Sequence, residues 1–179
     1  MKKVLLVLGL ALLMIQVKAQ VFSTSTGKVS FFSATPVEDI KAIDNHVLSV
    51  LNTKGELAIL ITNTQFEFDN KLMQEHFNEK YIESEKFPQS SFKGKINESI
   101  DFSKDGDYNV TVTGKLNIHG VEQERTIPGK VSIKNGSVQL YSEFKVKNAD
   151  HKIEIPKLVI AKIAEAIDVK VDCILMPKK

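Results

Sequence analysis

Tyr108-Asn109-Val110-Thr111-Val112-Thr113-Gly114-Lys115-Leu116-Asn117-Ile118-His119 decides the fold class. Tyr108, Val110, Val112, Gly114, Leu116 and Ile118 share one parity, and the residues between them are polar. Successive strand side chains point to opposite faces, so this is a strand with one apolar and one wet face. The same alternation returns at residues 92–96, 138–146 and 167–175. Residues 57–68 are apolar on both parities at first, then place Phe66 and Phe68 on one face. Residues 29–32 and 46–51 read as two earlier strands, separated by Pro36 and the Glu38-Asp39 pair.

Turn signals join these runs. Lys54-Gly55, Asp105-Gly106, Gly120 and Asn135-Gly136 supply the positive backbone angles that tight hairpins need. About eight strands with short links argue for an all-β barrel or sandwich rather than a parallel α/β sheet. One helix interrupts them. Asp69 or Asn70 caps its start, and Leu72, Met73, His76, Phe77 and Tyr81 recur on one face. A second short helix is expected over residues 157–166, between Pro156 and the last strand.

The amino terminus reads as an address. Met1-Lys2-Lys3 precedes an uncharged apolar run over residues 4–17, and Val17-Lys18-Ala19 stands before Gln20. That is the three-part pattern of a secretory signal peptide, with cleavage expected after Ala19. The run is too short to span a bilayer comfortably, which takes about 20 residues. The expected mature domain covers residues 20–179, periplasmic or secreted, with no stable membrane span. Losing Lys2, Lys3 and Lys18 lowers the basic count from 24 to 21 against 22 acidic residues, so the net charge becomes −1. A near-neutral exported domain without a basic stripe is a poor nucleic-acid binder.

Little in the chain points to reaction chemistry. The four histidines, at 46, 76, 119 and 151, show no helical zinc spacing. No Gly-x-Ser-x-Gly elbow and no phosphate-cradling glycine loop occurs. The single cysteine, Cys173, falls on the apolar parity of the last strand and reads as a small hydrophobe. No cofactor is expected, and no catalytic or metal-binding residue is assigned. The inward parities instead carry many large apolar side chains. In an eight-stranded barrel these either fill the interior or line a cavity for one ligand, and periodicity alone does not separate the two.

Several stretches, taken in order, resemble the YceI-like family of exported bacterial proteins. Gly27-Lys28-Val29-Ser30-Phe31-Phe32-Ser33 is similar to its opening strand. Leu72-Met73-Gln74-Glu75-His76-Phe77-Asn78, then Lys86-Phe87-Pro88 and Ser91-Phe92-Lys93-Gly94, resemble its helical connection and the strand after it. Gly114-Lys115-Leu116-Asn117-Ile118-His119-Gly120-Val121 is similar to its "G-x-L-x-I-H-G-V" hairpin. The run from Phe77 to Ser84 looks closest to the branch found in Bacteroidota-type bacteria. Beyond Gly129 the likeness is weaker.

The resemblance implies an eight-stranded antiparallel, lipocalin-like barrel. It also implies non-catalytic binding or carriage of a long apolar chain: a polyisoprenoid, an isoprenoid quinone precursor or a fatty-acid derivative. The expected tunnel wall is Phe66, Phe68, Leu72, Met73, Phe77, Tyr81, Phe92, Val112, Leu116, Ile118, Phe144 and Val146, with the helix covering one mouth. His119, Arg125 and His151 are the candidates for polar contacts at the mouth. Two rivals stand beside this reading. One is a scaffold with a filled core that works through its surface. The other is a hydrolase or isomerase that uses the same apolar pocket. A homodimer is left open.

Overall fold

A computed structural model describes residues 19–178, so the expected leader lies outside the described residues, apart from Ala19. In chain order the strands are β1 (Val21–Ala34), β2 (Asp39–Asn52), β3 (Glu56–Thr62), the two-residue β4 (Glu67–Phe68), β5 (Gln89–Ile96), β6 (Gly106–Ile118), β7 (Val121–Lys134), β8 (Ser137–Lys147) and β9 (Ala166–Pro177). Eight of them close a barrel in the order β1-β9-β8-β7-β6-β5-β3-β2, with β2 returning to β1, all antiparallel. β4 continues along the side of β2 already used by β3, pairing Ala42 with Phe68. The barrel expectation therefore holds and the sandwich does not.

The hairpins follow from their turn residues. Asn135 and Gly136 have φ of 49° and 76°, and His119 and Gly120 have φ of 53° and 70°. Both are two-residue loops, because Lys134 pairs with Ser137 and Ile118 with Val121. Paired positive φ gives the backbone twist that strands of a two-residue hairpin need. Between β5 and β6, Gly94 pairs with Gly114. A Cβ on Gly114 would lie 2.3 Å from the Lys93 carbonyl oxygen, so the two strands approach there as bare backbone.

The first two strands run longer than expected, 14 residues each. Register shifts between Thr24, Gly27 and Val29 switch which parity points inward. A bulge adds a residue to one strand and breaks the alternation a reader follows. Residues 57–68 are split by a short 3₁₀ turn, Asn63–Gln65.

The expected helix over residues 157–166 does not form. Only Lys157–Val159 makes a 3₁₀ turn, and Pro156 before it provides no side-chain cap. The far end of the segment is held by its neighbours instead. Asn148 Nδ2 donates to the Ala164 carbonyl, Ala164 N–H donates to Ser33 Oγ, and Ala166 already pairs with Lys147. Backbone groups that a helix would pair internally are taken there by partners distant in sequence.

The ends of the barrel differ. At the end holding the start of β1 and the end of β9, Phe22, Val47, Leu51, Val138, Cys173 and Leu175 are buried, each at most 2% exposed. Phe102 stacks on Phe22 with ring centroids 5.8 Å apart. This is a packed floor. Burial there pushes the Cys173 thiol up to about 11, which suits a small hydrophobe rather than a nucleophile. At the opposite end lie the β1–β2 turn, the helical excursion over 69–88 and the excursion over 148–165.

Candidate functional site

Above the floor the barrel encloses an apolar cavity of about 450 Å³. That falls within the range of ligand pockets, about 300–1,000 Å³. The expected barrel tunnel is a cup closed at one end, because Phe22 and its neighbours occupy the rest of the bore. The question left open by periodicity has a divided answer: the floor end is filled and the other end is hollow.

All twelve expected wall residues border the cavity. Val112, Leu116 and Ile118 project into it from β6, Phe92 from β5, and Phe144 and Val146 from β8. Their strand parities put them there. Phe66, just before β4, and Phe68, within it, enter together. Helix α1 (Lys71–His76) supplies Leu72, Met73 and His76. Asn70, not Asp69, is its cap, with Oδ1 accepting from Leu72 N–H at 2.8 Å and from Met73 N–H at 3.4 Å. The chain then widens into a π turn, Phe77–Tyr81, which brings in Phe77 and Tyr81. Burial raises the Tyr81 hydroxyl above its ordinary value. Phe77 completes a cluster with Phe31, Phe66 and Phe68, whose ring centroids stand 5.1 to 5.7 Å apart. Offset and edge-to-face pairs at such distances add to simple area burial, so the helix is fastened over the mouth by aromatic packing.

Sequence reasoning missed part of the wall. Phe31 and Val29 come from the bulged β1, and Val159 and Ile163 come from the segment misread as a helix. It also misplaced the polar groups. His119, Arg125 and His151 do not line the cavity; Glu38, Ser33, Asn63, Ser90, His76 and Lys162 do. Asn63 is 1% exposed and fully engaged: Nδ2 donates to the Phe87 carbonyl and Oδ1 accepts from Ser90 Oγ. Lys162 Nζ stands 3.6 Å from a Glu38 carboxylate oxygen at the rim.

The three misplaced residues tie the mouth together from outside the cavity. The His119 ring bridges the two excursions, with Nε2 2.6 Å from Glu83 Oε2 and Nδ1 3.1 Å from the His151 carbonyl. The hydrogen bond from His119, with help from Lys86, holds the Glu83 carboxyl below its ordinary value. Arg125 Nη2 donates to the Lys145 carbonyl. That contact spans a seam, since the β7–β8 ladder runs only from Lys134–Ser137 to Lys130–Tyr141. Pro128 offers no N–H to extend it.

His151 is fully buried, and its Nδ1–H donates to the Val121 carbonyl. Burial holds its pKa below the usual value, opposed by the Val121 hydrogen bond and Asp150. An unfolded histidine binds its proton near pH 6.5, while folded His151 resists it until lower pH. The unfolded state therefore takes up more protons as pH drops below about 6.5, and stability falls with it. Thermal melts should show Tm declining from about pH 7 to pH 5, less steeply in His151→Gln. Glu83 acts in a lower window: its contribution is present above the unfolded carboxylate value, about 4.3, and is lost as pH falls through its depressed folded value. Equal slopes for wild type and His151→Gln between pH 7 and 5 would remove His151 as the cause.

Among the described residues no group of histidine, cysteine and carboxylate side chains is placed to hold a metal ion. None of the described helices is long and apolar enough to cross a membrane.

Comparison with known proteins agrees with this geometry. No curated protein sequence matches the chain. Among solved structures, a polyisoprenoid binding domain from Saccharophagus degradans is similar at a TM-score of 0.76 and 15% identity, covering 90% of this chain and 100% of that one. Burkholderia cenocepacia BcnA is similar at 0.66 and 15%, over 83% and 95% of the two chains. A Campylobacter jejuni YCEI protein is similar at 0.58 and 16%, over 100% and 99%. At these identities the likeness speaks to the fold. The model of the YceI-like domain matches residues 11–175, nearly the whole chain, and with the closed barrel and its helical cap this makes the protein a member of the YceI-like family.

Proposed function

We propose that this protein binds one long apolar chain, a polyisoprenoid, isoprenoid quinone precursor or fatty-acyl derivative, and carries it without chemical change. The observation that carries the reading is the apolar cup of about 450 Å³ under an aromatic-packed helix. Water gains little in such a space, while a hydrocarbon leaves water at a gain of about 0.8 kcal/mol for each methylene. Ten methylenes contribute roughly 8 kcal/mol before ordering costs. The similar domain from Saccharophagus degradans, described as polyisoprenoid binding, supports the ligand class.

The proposed cellular setting is the periplasm or the external medium. It rests on the leader pattern of residues 1–19, with the mature chain beginning at Gln20, just before β1. The Bacteroidota-type branch is proposed on the Phe77 to Ser84 run alone.

Native mass spectrometry of the protein purified from an exporting bacterium tests the function directly. The expected result is the mass of a chain starting at Gln20 plus a discrete adduct that extracts into organic solvent. A bare mass, unchanged after incubation with polyprenyl and fatty-acyl chains, would turn the reading toward a surface-acting protein.

A further inference from the structure

Most large apolar side chains of this fold point inward, so those that do not stand out. Leu158 is 97% exposed and Ile160 63% exposed. They flank Val159, which lines the cavity, in a segment whose Lys162 and Ile163 also line it. Val37, 61% exposed, belongs to the β1–β2 turn, and that turn is tied to this segment by the Glu38–Lys162 pair. Leu72, 56% exposed, lies on the cavity's lining from helix α1. Three separate elements thus raise apolar side chains around one opening. Val159 and Ile163 line the cavity beside the exposed Leu158 and Ile160.

The charges nearest the exposed apolar tips are lysines, with Glu154 and Glu165 at the two ends of the stretch. Residues 155–164 contain Lys157 and Lys162 and no acidic residue. Lys71 precedes Leu72, and neither Lys71 nor Lys157 has an ion-pair partner among the described residues. Apolar tips bracketed by lysines match the boundary between acyl chains and anionic headgroups. The shape argues in the same direction. Leu158 projects almost free of its own protein, which suits insertion into a fluid layer better than fitting a rigid partner's surface.

We propose that this rim docks on an anionic lipid bilayer, with Leu158 and Ile160 inserted and Lys157 at the headgroups, so that the cavity opens onto the acyl layer. The purpose of the docking, transfer of an apolar chain between bilayer and cup, rests on the binding function proposed above; the docking itself is tested apart from it.

The test is sedimentation of the exported protein with vesicles of phosphatidylethanolamine and phosphatidylglycerol. Binding is expected, about tenfold weaker on phosphatidylcholine vesicles or in high salt. The double variant Leu158→Asp/Ile160→Asp should lose at least about tenfold in bound fraction. Neither side chain lines the cavity, so its extractable adduct should be unchanged, which also reports correct folding. The control is Ile174→Asp/Met176→Asp, exposed apolar positions at 58% each near the closed end, and it should bind vesicles like wild type. An equal loss in that control would overturn the proposal by showing general apolar adhesion. So would an adduct-bearing wild type that binds no vesicles. A rim-dependent dimer without vesicle binding would overturn it as well, by assigning the rim to a second copy. Vesicle binding by a protein with no adduct would support the docking while removing the proposed cargo.

Discussion

Leu116→Glu should leave a folded barrel that retains no apolar chain. Leu116 is 7% exposed and faces the cavity from the open-end part of β6. A carboxylate there has no buried partner, and holding it beside a hydrocarbon instead of water costs several kcal/mol. A loss of at least about a hundredfold in retained chain is expected, since every 1.4 kcal/mol is tenfold. Phe66→Glu would act on the same wall, but Phe66 also packs on Phe31 and Phe77, so its loss would loosen the helix. Leu116 keeps binding and folding apart more cleanly. The volume-conserving Leu116→Met should retain the chain. The measurement is adduct mass beside far-ultraviolet circular dichroism; a folded Leu116→Glu protein that keeps its adduct would show that the wall is wrongly assigned.

The second large effect concerns stability and reads the filled end of the barrel. Leu51 is fully buried in the packed floor. Leu51→Ala should cost about 2–5 kcal/mol, from lost transfer energy and the cavity left behind. In a domain of this size that lowers Tm by roughly 4–20 °C. Leu116→Ala should cost clearly less, because one side of Leu116 already faces empty space and has fewer contacts to lose. Urea unfolding of both variants, with and without added chain, separates the two, since a bound chain stabilises the native state by mass action. Equal costs would mean that the interior is packed throughout.

The parts legible in the sequence were those where one local rule acts alone. In β6 each inward residue is apolar and each outward one polar, apart from Gly114, so the parity could be read directly. The turns at Gly120 and Asn135-Gly136 followed from turn chemistry, and the helix start at Asp69 or Asn70 from capping, with Asn70 the cap that forms. The twelve expected wall positions reach the cavity because strand parity and helix face fix direction without any knowledge of partners.

The misread parts were those where neighbours decide. Gly27 and the bulges beside it switch the inward parity of β1, and Asp44 and Ser49 point into the core of β2, so both strands looked shorter than they are. Residues 157–166 have helix-compatible spacing, but Ser33 and Asn148 bind their backbone groups from distant points in the chain. His119 and Arg125, expected as polar contacts at the mouth, lie outside the cavity lining and bond to backbone carbonyls and Glu83. Composition could not show the floor, since Phe22 and Phe31 carry the same side chain on the same strand. One stacks against Phe102 and closes the bore, while the other borders open space.

A vessel with a single opening also acts as a ruler. With Phe22, Val138 and Leu175 across the bottom, the proposed guest has a fixed depth available to it. Carbons within that depth leave water; those beyond it stay at the brim with whatever polar group the molecule bears. For the proposed chain-binding function, the floor sets how far a guest can reach, whatever its head group.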